Sequence, residues 1–251
     1  MSSAYGGNAT VRDGDTVLEV ITADVGFRGL NKEKKARIFN IPWPSDSPPP
    51  PYASLLSIAS AHGLYAAASP DALVIGKTQD LRKHIYENAD DDIRVCAPIH
   101  TVPHSRLAQV AFSSDESCLV VAEEKSSEVV AYISSQLAAH QSDAALRLST
   151  NAPIRVIAPN PDPGSARLFA LVNADDQLLL ADLQMKQLMP GPNGPVLADG
   201  VTCVTWSNKG KQLVAGRRDG TALILKTDGS VVATVPKPSS VPANCHVADQ
   251  P

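Results

Sequence analysis

The sequence predicts an all-β fold, a β-propeller, and two observations lead to that prediction. A segment pattern recurs along the chain every 47 residues, most clearly at Phe112, Pro159 and Trp206. Each repeat contains short apolar runs separated by polar turns. A period in the forties with three or four short strands per unit is typical of propeller blades. A β-sandwich is the alternative that strands of this length allow.

The apolar runs fall into four repeats, and the polar turns between them support antiparallel meanders. Lys209-Gly210 and Asp219-Gly220 are examples of such turns. The runs occupy residues 55–58, 63–66 and 72–75 in the first repeat, 109–113, 119–122 and 129–132 in the second, 154–157, 168–172 and 177–180 in the third, and 203–207, 213–216 and 221–225 in the fourth.

Three segments outside the repeats have predictions of their own. Residues 15–21 form a lone strand, of the kind that completes the last blade and closes a propeller ring. Residues 134–148 are rich in Ala and Leu at helical spacing, which predicts a short helix between two blades. Residues 42–51 carry six prolines and predict an extended loop or polyproline II insert. A polyproline-reading module could bind residues 48–51, although a plain surface insert is favoured.

The composition fits one globular unit. The chain has 251 residues, of which 43% are hydrophobic and 4% aromatic, so the core must rest on Val, Leu, Ile and Ala. We expect a flexible N-terminus (1–14), a partial β-propeller (15–240), and a tail or the start of another blade (241–251). A net charge of −4 disfavours direct nucleic-acid binding and suits a basic protein partner. No apolar run is long enough for membrane insertion, and no signal peptide is evident.

The cysteines and histidines do not predict a metal site. Four widely spaced cysteines indicate reduced core thiols rather than a disulfide framework. Cys96, His100 and His104 have the spacing of ligands on one helix face, but Pro98 and Pro103 forbid a helix there.

The remaining motifs are predicted to be turns and solvated loops. No Walker loop, dinucleotide fingerprint or nucleophile elbow is present in the sequence. Residues 191–194 are predicted to form a turn between strands. Residues 90–92 are predicted to form a solvated loop rather than a cation site, and residues 32–37 a solvated hairpin tip. Arg217 and Arg218 read as loop charges. We therefore predict no cofactor, metal or catalytic residue, and a chain that is not an enzyme.

Several of these segments resemble one family in their order along the chain. They are Phe27-Arg28-Gly29-Leu30, residues 36–39 and 54–64, the Asn160-Pro161 turn, and above all residues 201–225 with Trp206-Ser207 and Asp219-Gly220-Thr221. The chain resembles the N-terminal domain of the FG-repeat nucleoporin on the cytoplasmic face of the nuclear pore, the vertebrate CAN protein and its fungal counterparts. The resemblance extends from about residue 15 to about residue 240.

The resemblance implies a specific role. The family domain is a seven-bladed propeller that binds the DEAD-box RNA helicase of mRNA export, competing with RNA for a basic surface of the helicase. Full-length members also meet other nucleoporins of the cytoplasmic face. Four repeats and a lone strand are fewer units than that domain has, so no helicase-contact residue is assigned here. If neighbouring blades are missing, we expect weaker helicase binding and lower stability than in a longer chain.

Two other functions remain open on the sequence. A generic WD-type adaptor of another complex would share the blades without the helicase partner. A propeller enzyme, such as a lactonase, would place metal-binding side chains on successive inner strands. The repeat starts carry mainly Val, Ile, Ala and Thr there, which disfavours the enzyme.

Overall fold

The computed structural model describes residues 38–39, 41–87, 95–191 and 194–238, which form four antiparallel sheets. In each sheet the main strands pair in sequence order, as in a propeller blade. Blade 1 contains β1 (Leu56–Ala59), β2 (Leu64–Ala68), β3 (Ala72–Lys77) and β4 (His100–Pro103). Blade 2 contains β5 (Leu107–Phe112), β6 (Cys118–Glu123), β7 (Glu128–Ile133) and β8 (Leu146–Ser149).

The third and fourth repeats form the other two blades. Blade 3 contains β9 (Ile154–Pro159), β10 (Leu168–Asn173), β11 (Leu178–Asp182), β12 (Gln187–Leu188) and β13 (Val196–Ala198). Both β12 and β13 pair with β11 at its outer edge. Blade 4 contains β14 (Val201–Trp206), β15 (Gln212–Arg217), β16 (Ala222–Lys226) and β17 (Val231–Val235). The predicted all-β propeller fold and its four repeats are confirmed.

The inner blades are buried on both faces because each packs between two neighbours. In β6, Leu119 and Val121 contribute to the core shared with blade 1, whereas Val120 and Ala122 contribute to the core shared with blade 3. Successive strand residues point to opposite faces, so one strand fills two cores. Every residue of β10 and β11 is buried for the same reason. This arrangement explains why the sequence shows continuous apolar runs instead of strict alternation.

The 47-residue period has a structural counterpart at the end of the first strand of each blade. Phe112 pairs with Leu119, Pro159 with Phe169, and Trp206 with Leu213. Phe112 and Trp206 are only 6% and 8% exposed, and both leucines are fully buried. Phe112 and Trp206 thus occupy equivalent buried places in their two blades, in keeping with the 47-residue recurrence.

The helix prediction is correct at its beginning and wrong at its end. A helix, α2, spans Ser134–Ala138, and His140 follows with a positive φ of 63°. Strand β8 occupies the end of the predicted segment, where Leu146 pairs with Ala131 and Leu148 with Val129. The two leucines alternate as a strand requires, and pairing with β7 outweighs helix propensity.

The remaining helical structure was not predicted. Helix α1 spans Thr78–Glu87 between β3 and β4, and a 3₁₀ turn spans Pro163–Ser165. In the part of the chain that the structure describes, no helix is long and apolar enough to cross a membrane. The predictions for the lone strand 15–21, the basic segment 32–37 and the acidic run 90–92 lie outside the described residues, as do the termini 1–14 and 241–251.

Candidate functional site

The antiparallel strands place the turns of all blades at two opposite faces. The lower face carries the turns between first and second strands, at residues 60–63, 113–117, 160–167 and 207–211. The upper face carries the turns between second and third strands, at residues 69–71, 124–127, 174–177 and 218–221. Turns on a rigid scaffold are the usual place for partner contacts, so each face is a candidate docking surface.

The three residues with ligand-like spacing, Cys96, His100 and His104, do not converge on one point. Cys96 is buried after α1, and His100 lies in β4 with its ring edge-on to His140 at 6.0 Å between centroids. His104 lies in the connection from blade 1 to blade 2 and has other partners. Among the described residues, no three His, Cys, Asp or Glu side chains are grouped as metal ligands.

His104 instead connects two strands of blade 2 on the upper side. Its Nδ1 lies 3.0 Å from the carboxylate of Glu123, and its Nε2 lies 2.7 Å from the hydroxyl of Tyr132. Burial, opposed by Arg147 and assisted by Glu123, raises the pKa of Tyr132, so its hydroxyl stays protonated. Both ring nitrogens of His104 therefore have a hydrogen-bonding partner. The cluster holds the blade connection in place and leaves no free group for chemistry.

A charged network joins blades 3 and 4 on the upper face. The carboxylate of Asp176 accepts from the guanidinium groups of Arg155 and Arg218. Arg155 also donates to the carbonyl of Asn173 at 3.0 Å. The side chain of Arg218 is 72% exposed, which fits the predicted loop charge, yet it reaches across to the neighbouring blade. No sequence pattern indicates this connection, because Asp176 and Arg218 are 42 residues apart.

A buried asparagine joins the same two blades on the lower face. Asn160 is fully buried and donates from Nδ2 to the carbonyl of Gly210 at 2.9 Å. Its Oδ1 accepts from the backbone N–H of Asp162, also at 2.9 Å. Gly210 has a φ of +63°, and an added Cβ would overlap Oδ1 of Asn160. Both residues belong to motifs on which the family resemblance rests.

Both faces expose charges of both signs, and each has a local group in which one sign predominates. On the upper face the turns and the start of blade 4 expose four carboxylates, those of Asp71, Asp175, Asp199 and Asp219. On the lower face of blade 4, Lys209, Lys211 and Lys226 line an open cavity together with Ser207, Asn208 and Gln212. A basic partner surface is attracted to these carboxylates and repelled by the lysines around this cavity.

Cysteine positions differ from the prediction in one respect. Cys96 is buried and Cys118 is half-buried, as expected of core thiols. Cys203 lies in β14 but is exposed, and a Cβ added at Gly216 of the paired strand would overlap its Sγ. The turn predicted at 191–194 is supported by a 2.5 Å hydrogen bond from the N–H of Gly191 to the carbonyl of Gly194.

Blades whose main strands pair in sequence order define a β-propeller, and their turns form its two faces. The chain belongs to the NUP159/214 β-propeller family, whose sequence profile matches residues 49–249. The family resemblance seen in the sequence is confirmed, and the chain is thereby placed among the nucleoporins of the nuclear pore complex.

Two curated relatives support the assignment. Nucleoporin NUP159 of Chaetomium thermophilum is 39% identical over 98% of this chain. Nucleoporin nup146 of Schizosaccharomyces pombe is 29% identical over 76% of this chain. The alignments span only 17% and 14% of those two proteins.

Solved structures share the fold at low sequence identity. The N-terminal domain of Nup159 matches with a TM-score of 0.55 and 20% identity, over 76% of this chain and 46% of that one. A Saccharomyces cerevisiae complex of a Dbp5 variant bound to Nup159, a Gle1 variant, IP6 and ADP matches with a TM-score of 0.56 and 21% identity, over 75% and 46%. The β-propeller domain of Myceliophthora thermophila Cps50 (Swd1) matches with a TM-score of 0.56 and 13% identity, over 75% and 56%.

Proposed function

We propose that this chain is a docking domain that recruits the DEAD-box RNA helicase of mRNA export to the cytoplasmic face of the nuclear pore. The observation that carries the proposal is membership of the NUP159/214 family, with 39% identity to a NUP159 along 98% of the chain. In a solved complex, Dbp5 is bound to Nup159. Other nucleoporins of the cytoplasmic face are the proposed neighbours of the full-length protein, and nucleic acid is not a direct ligand.

The physical character of the chain supports a binding role without catalysis. The blades are rigid because their cores are shared between neighbours and closed by polar contacts such as Asn160 to Gly210. A rigid surface loses little conformational entropy when a partner docks. The polar clusters around His104 and Asp176 are satisfied internally, which suits a scaffold.

Electrostatics favours the upper face as the docking surface for the helicase. The RNA-binding surface of a helicase is basic because it contacts phosphates. The exposed carboxylates of Asp175 and Asp199 would attract such a surface, whereas Lys209 and Lys211 on the lower face would repel it. We therefore propose that the helicase approaches the upper face and competes there with RNA.

A charge-reversal experiment tests both the partner and the face. Helicase affinity is measured by calorimetry for the chain, for Asp175→Lys with Asp199→Lys, and for Lys209→Glu with Lys211→Glu, at low and at physiological ionic strength. We expect the upper-face variant to bind at least about tenfold more weakly. The lower-face variant is the matched control and should bind no worse than the unaltered chain. Affinity should also fall as salt rises.

The outcomes separate the parts of the proposal. No binding by the unaltered chain at low ionic strength would refute helicase recruitment by these blades. Weakening by the lower-face variant alone would leave the helicase as partner and place it on the opposite face. Equal binding by all three proteins would show that the exposed charges do not steer the interaction.

A further inference from the structure

The lower-face turn of blade 4 has the same backbone structure as the lower-face turn of blade 2. In blade 2 the N–H of Ser113 donates to the carbonyl of Cys118 at 2.8 Å, and the hydroxyl of Ser113 accepts from the N–H of Cys118 at 3.0 Å. In blade 4 Ser207 and Gln212 make the same two contacts, at 2.8 and 3.2 Å. The fourth residue of each turn has a positive φ, of 59° and 63°. The residues of the two turns can therefore be compared one by one.

The two turns carry side chains of opposite charge at equivalent positions. Asp115 of blade 2 corresponds to Lys209 of blade 4, and Ser117 corresponds to Lys211. The carboxylate of Asp115 accepts from the hydroxyl of Ser117 at 2.9 Å, so the polar side chains of the blade 2 turn satisfy each other. Two lysines cannot do so, because both are donors only. Lys209 and Lys211 form no hydrogen bond or ion pair with any residue that the structure describes.

A third lysine stands beside this turn on the neighbouring strand. Lys226, at the end of β16, pairs directly with Gln212 of β15. The equivalent pair in blade 2 is Cys118 with Ile133. The same blade geometry thus forms without a lysine at any of the three positions, so the fold does not require these lysines.

The three lysines surround a space large enough for a small ligand. Lys209, Lys211 and Lys226 are exposed and line an open cavity of about 570 Å³, with no carboxylate among the described residues that line it. Pockets for small molecules usually have volumes of about 300–1,000 Å³. Asp228 acts on Lys226 electrostatically, but its carboxylate is engaged by the N–H and the hydroxyl of Ser230. The cavity therefore carries an excess of positive charge.

We propose that this lysine cavity of blade 4 binds a small anionic ligand that carries at least two phosphoryl groups. Ammonium groups bind phosphate oxygens as charged hydrogen-bond donors. One phosphate ester carries about −1.5 to −2 charges near neutral pH, so two phosphoryl groups are needed to balance three lysines. The site goes beyond the proposed function, because it lies on the lower face whereas the helicase is proposed to approach the upper face.

The residues around the cavity favour a small polyphosphate over single-stranded nucleic acid. Proteins that hold single strands combine a basic groove with aromatic side chains that stack on the bases. None of the described residues that line this cavity is aromatic. The ring of Trp206, at the end of β14, lies in the core shared with blade 3. The amides of Asn208 and Gln212 add neutral donors suited to phosphate oxygens.

The test uses inorganic tripolyphosphate, in which three phosphoryl groups form a short chain. It is titrated calorimetrically into the intact protein without divalent cations, at low and at physiological ionic strength. We expect one ligand to bind per chain, with an affinity that falls as the ionic strength rises. Inorganic monophosphate at matched ionic strength should bind at least about tenfold more weakly, because it engages fewer of the ammonium groups.

The decisive variant gives blade 4 the turn of blade 2. Lys209→Asp with Lys211→Ser places a carboxylate and a hydroxyl where blade 2 already pairs them, so the turn should keep its structure. This variant should bind tripolyphosphate at least about tenfold more weakly, since two of the three ammonium groups are removed. Lys125→Asp with Lys77→Ser makes the same change of charge at exposed lysines of the other blades and should bind like the unaltered chain. Thermal midpoints without ligand verify that both variants are folded.

Three results would overturn the proposal. No binding of tripolyphosphate at low ionic strength would show that the cavity does not hold phosphate. Binding unchanged in Lys209→Asp with Lys211→Ser would place the ligand elsewhere. Tighter binding of a single-stranded RNA or of a phosphoserine peptide, lost in the same variant, would assign the cavity to a macromolecular partner instead. None of these results alters the helicase affinity measured with the upper-face variant, so the two proposals fail independently.

Discussion

At the scale of single residues, Trp206 contributes both a packed ring and a hydrogen bond between blades. Its ring packs with Leu213 and Leu225 in the core shared by blades 3 and 4. Its Nε1 donates to the carbonyl of Ala158 in blade 3 at 2.9 Å. A single side chain therefore fixes both the distance and the register between neighbouring blades.

Removal of this ring should be costly. We predict that Trp206→Ala lowers the free energy of unfolding by about 3–5 kcal/mol, because it leaves a cavity and an unpaired carbonyl. Chemical denaturation monitored by circular dichroism measures the loss. Val232→Ala, at a position 48% exposed, is the control and should change stability little. A loss for Trp206→Ala no larger than that of the control would contradict the proposed role.

Asn160 offers a second residue-scale test, through hydrogen bonding rather than packing. We predict that Asn160→Ala destabilises the chain by roughly 1–3 kcal/mol for each buried partner left unsatisfied, namely the Gly210 carbonyl and the Asp162 N–H. Asn160→Asp keeps an acceptor for the N–H of Asp162, but it loses the donor to Gly210 and buries a carboxyl group facing that carbonyl, so we expect it to destabilise the chain as well. Urea midpoints measure both variants. An unchanged urea midpoint for Asn160→Ala would show that the contact between the lower-face turns does not contribute to stability.

The buried positions of single residues could be predicted where the sequence pattern repeats. Polar contacts that do not repeat from blade to blade could not be predicted. Phe112 and Trp206 could be assigned to buried positions because the 47-residue period places them at the same point of two blades. The His104 cluster could not be predicted, because its partners are 19 and 28 residues away and no pattern relates them. The guanidinium of Arg106 donates to the carbonyls of Ser47 and Pro48, which lie 59 and 58 residues away in the sequence. Long-range polar pairs of this kind leave no periodic trace.

At the scale of elements, three hairpin turns share one chemical device. Asp115, Asp219 and Asp228 each accept hydrogen bonds from a Ser or Thr two residues later, through both its backbone N–H and its hydroxyl. For Asp219 and Asp228, these hydrogen bonds are the main cause of a lowered pKa. For Asp115, partial burial raises the pKa, but hydrogen bonds from Ser113 and Ser117 outweigh it and the net shift is downward.

We expect the stabilising contribution of the Asp115 turn to decrease as the pH falls. The folded pKa of Asp115 lies below its usual value of 3.8, so the carboxylate stabilises the fold above that pH and loses its contribution as the pH falls further. We predict that the stability difference between the unaltered chain and Asp115→Asn is largest near neutral pH and shrinks below about pH 4. Urea unfolding at a series of pH values measures this difference.

A second variant tests the cause of that pH dependence. Ser117→Ala removes the hydroxyl that donates to Asp115 at 2.9 Å and should reduce the acid dependence without abolishing it. A stability difference for Asp115→Asn that stays constant down to the lowest pH would show that ionisation of this carboxylate is not linked to folding.

The strands could be predicted from the sequence, whereas the helices were missed or only partly predicted. The strands were recognisable because buried strands give long apolar runs. Helix α1 was missed because its ten residues are mostly polar and contain only Leu81, Ile85 and Tyr86 as large apolar residues. The end of the predicted helix at 134–148 was wrong because alternation at Leu146 and Leu148 satisfied a neighbouring strand. Docking faces were not predictable at all, because they arise from turns far apart in sequence.

At the scale of the whole molecule, the blades differ in how many neighbours stabilise them. Blades 2 and 3 each contribute to two buried cores. Blade 4 contributes to one of the three cores, and every residue of β17 is exposed. In β1 the side chains of Leu56 and Ile58 are 51% and 54% exposed. A series of packed blades with unequal burial resembles a linear array of stacked repeats more than a uniform globule.

Hydrogen exchange should resolve this gradient of stability. We predict that the amides of β6 and β10 exchange at least about a hundredfold more slowly than those of β17, a difference equivalent to roughly 2.8 kcal/mol. Opening β6 or β10 exposes two cores, whereas opening β17 breaks only its pairing with β16. Exchange measured by mass spectrometry on peptides from each blade gives the comparison. Trp206→Ala provides the internal control, since it should accelerate exchange in β14–β16 before it affects β6. Equal protection in all four blades, with or without the substitution, would show that the chain opens only as one cooperative unit. The number of cores that a blade shares would then have no effect on its local stability.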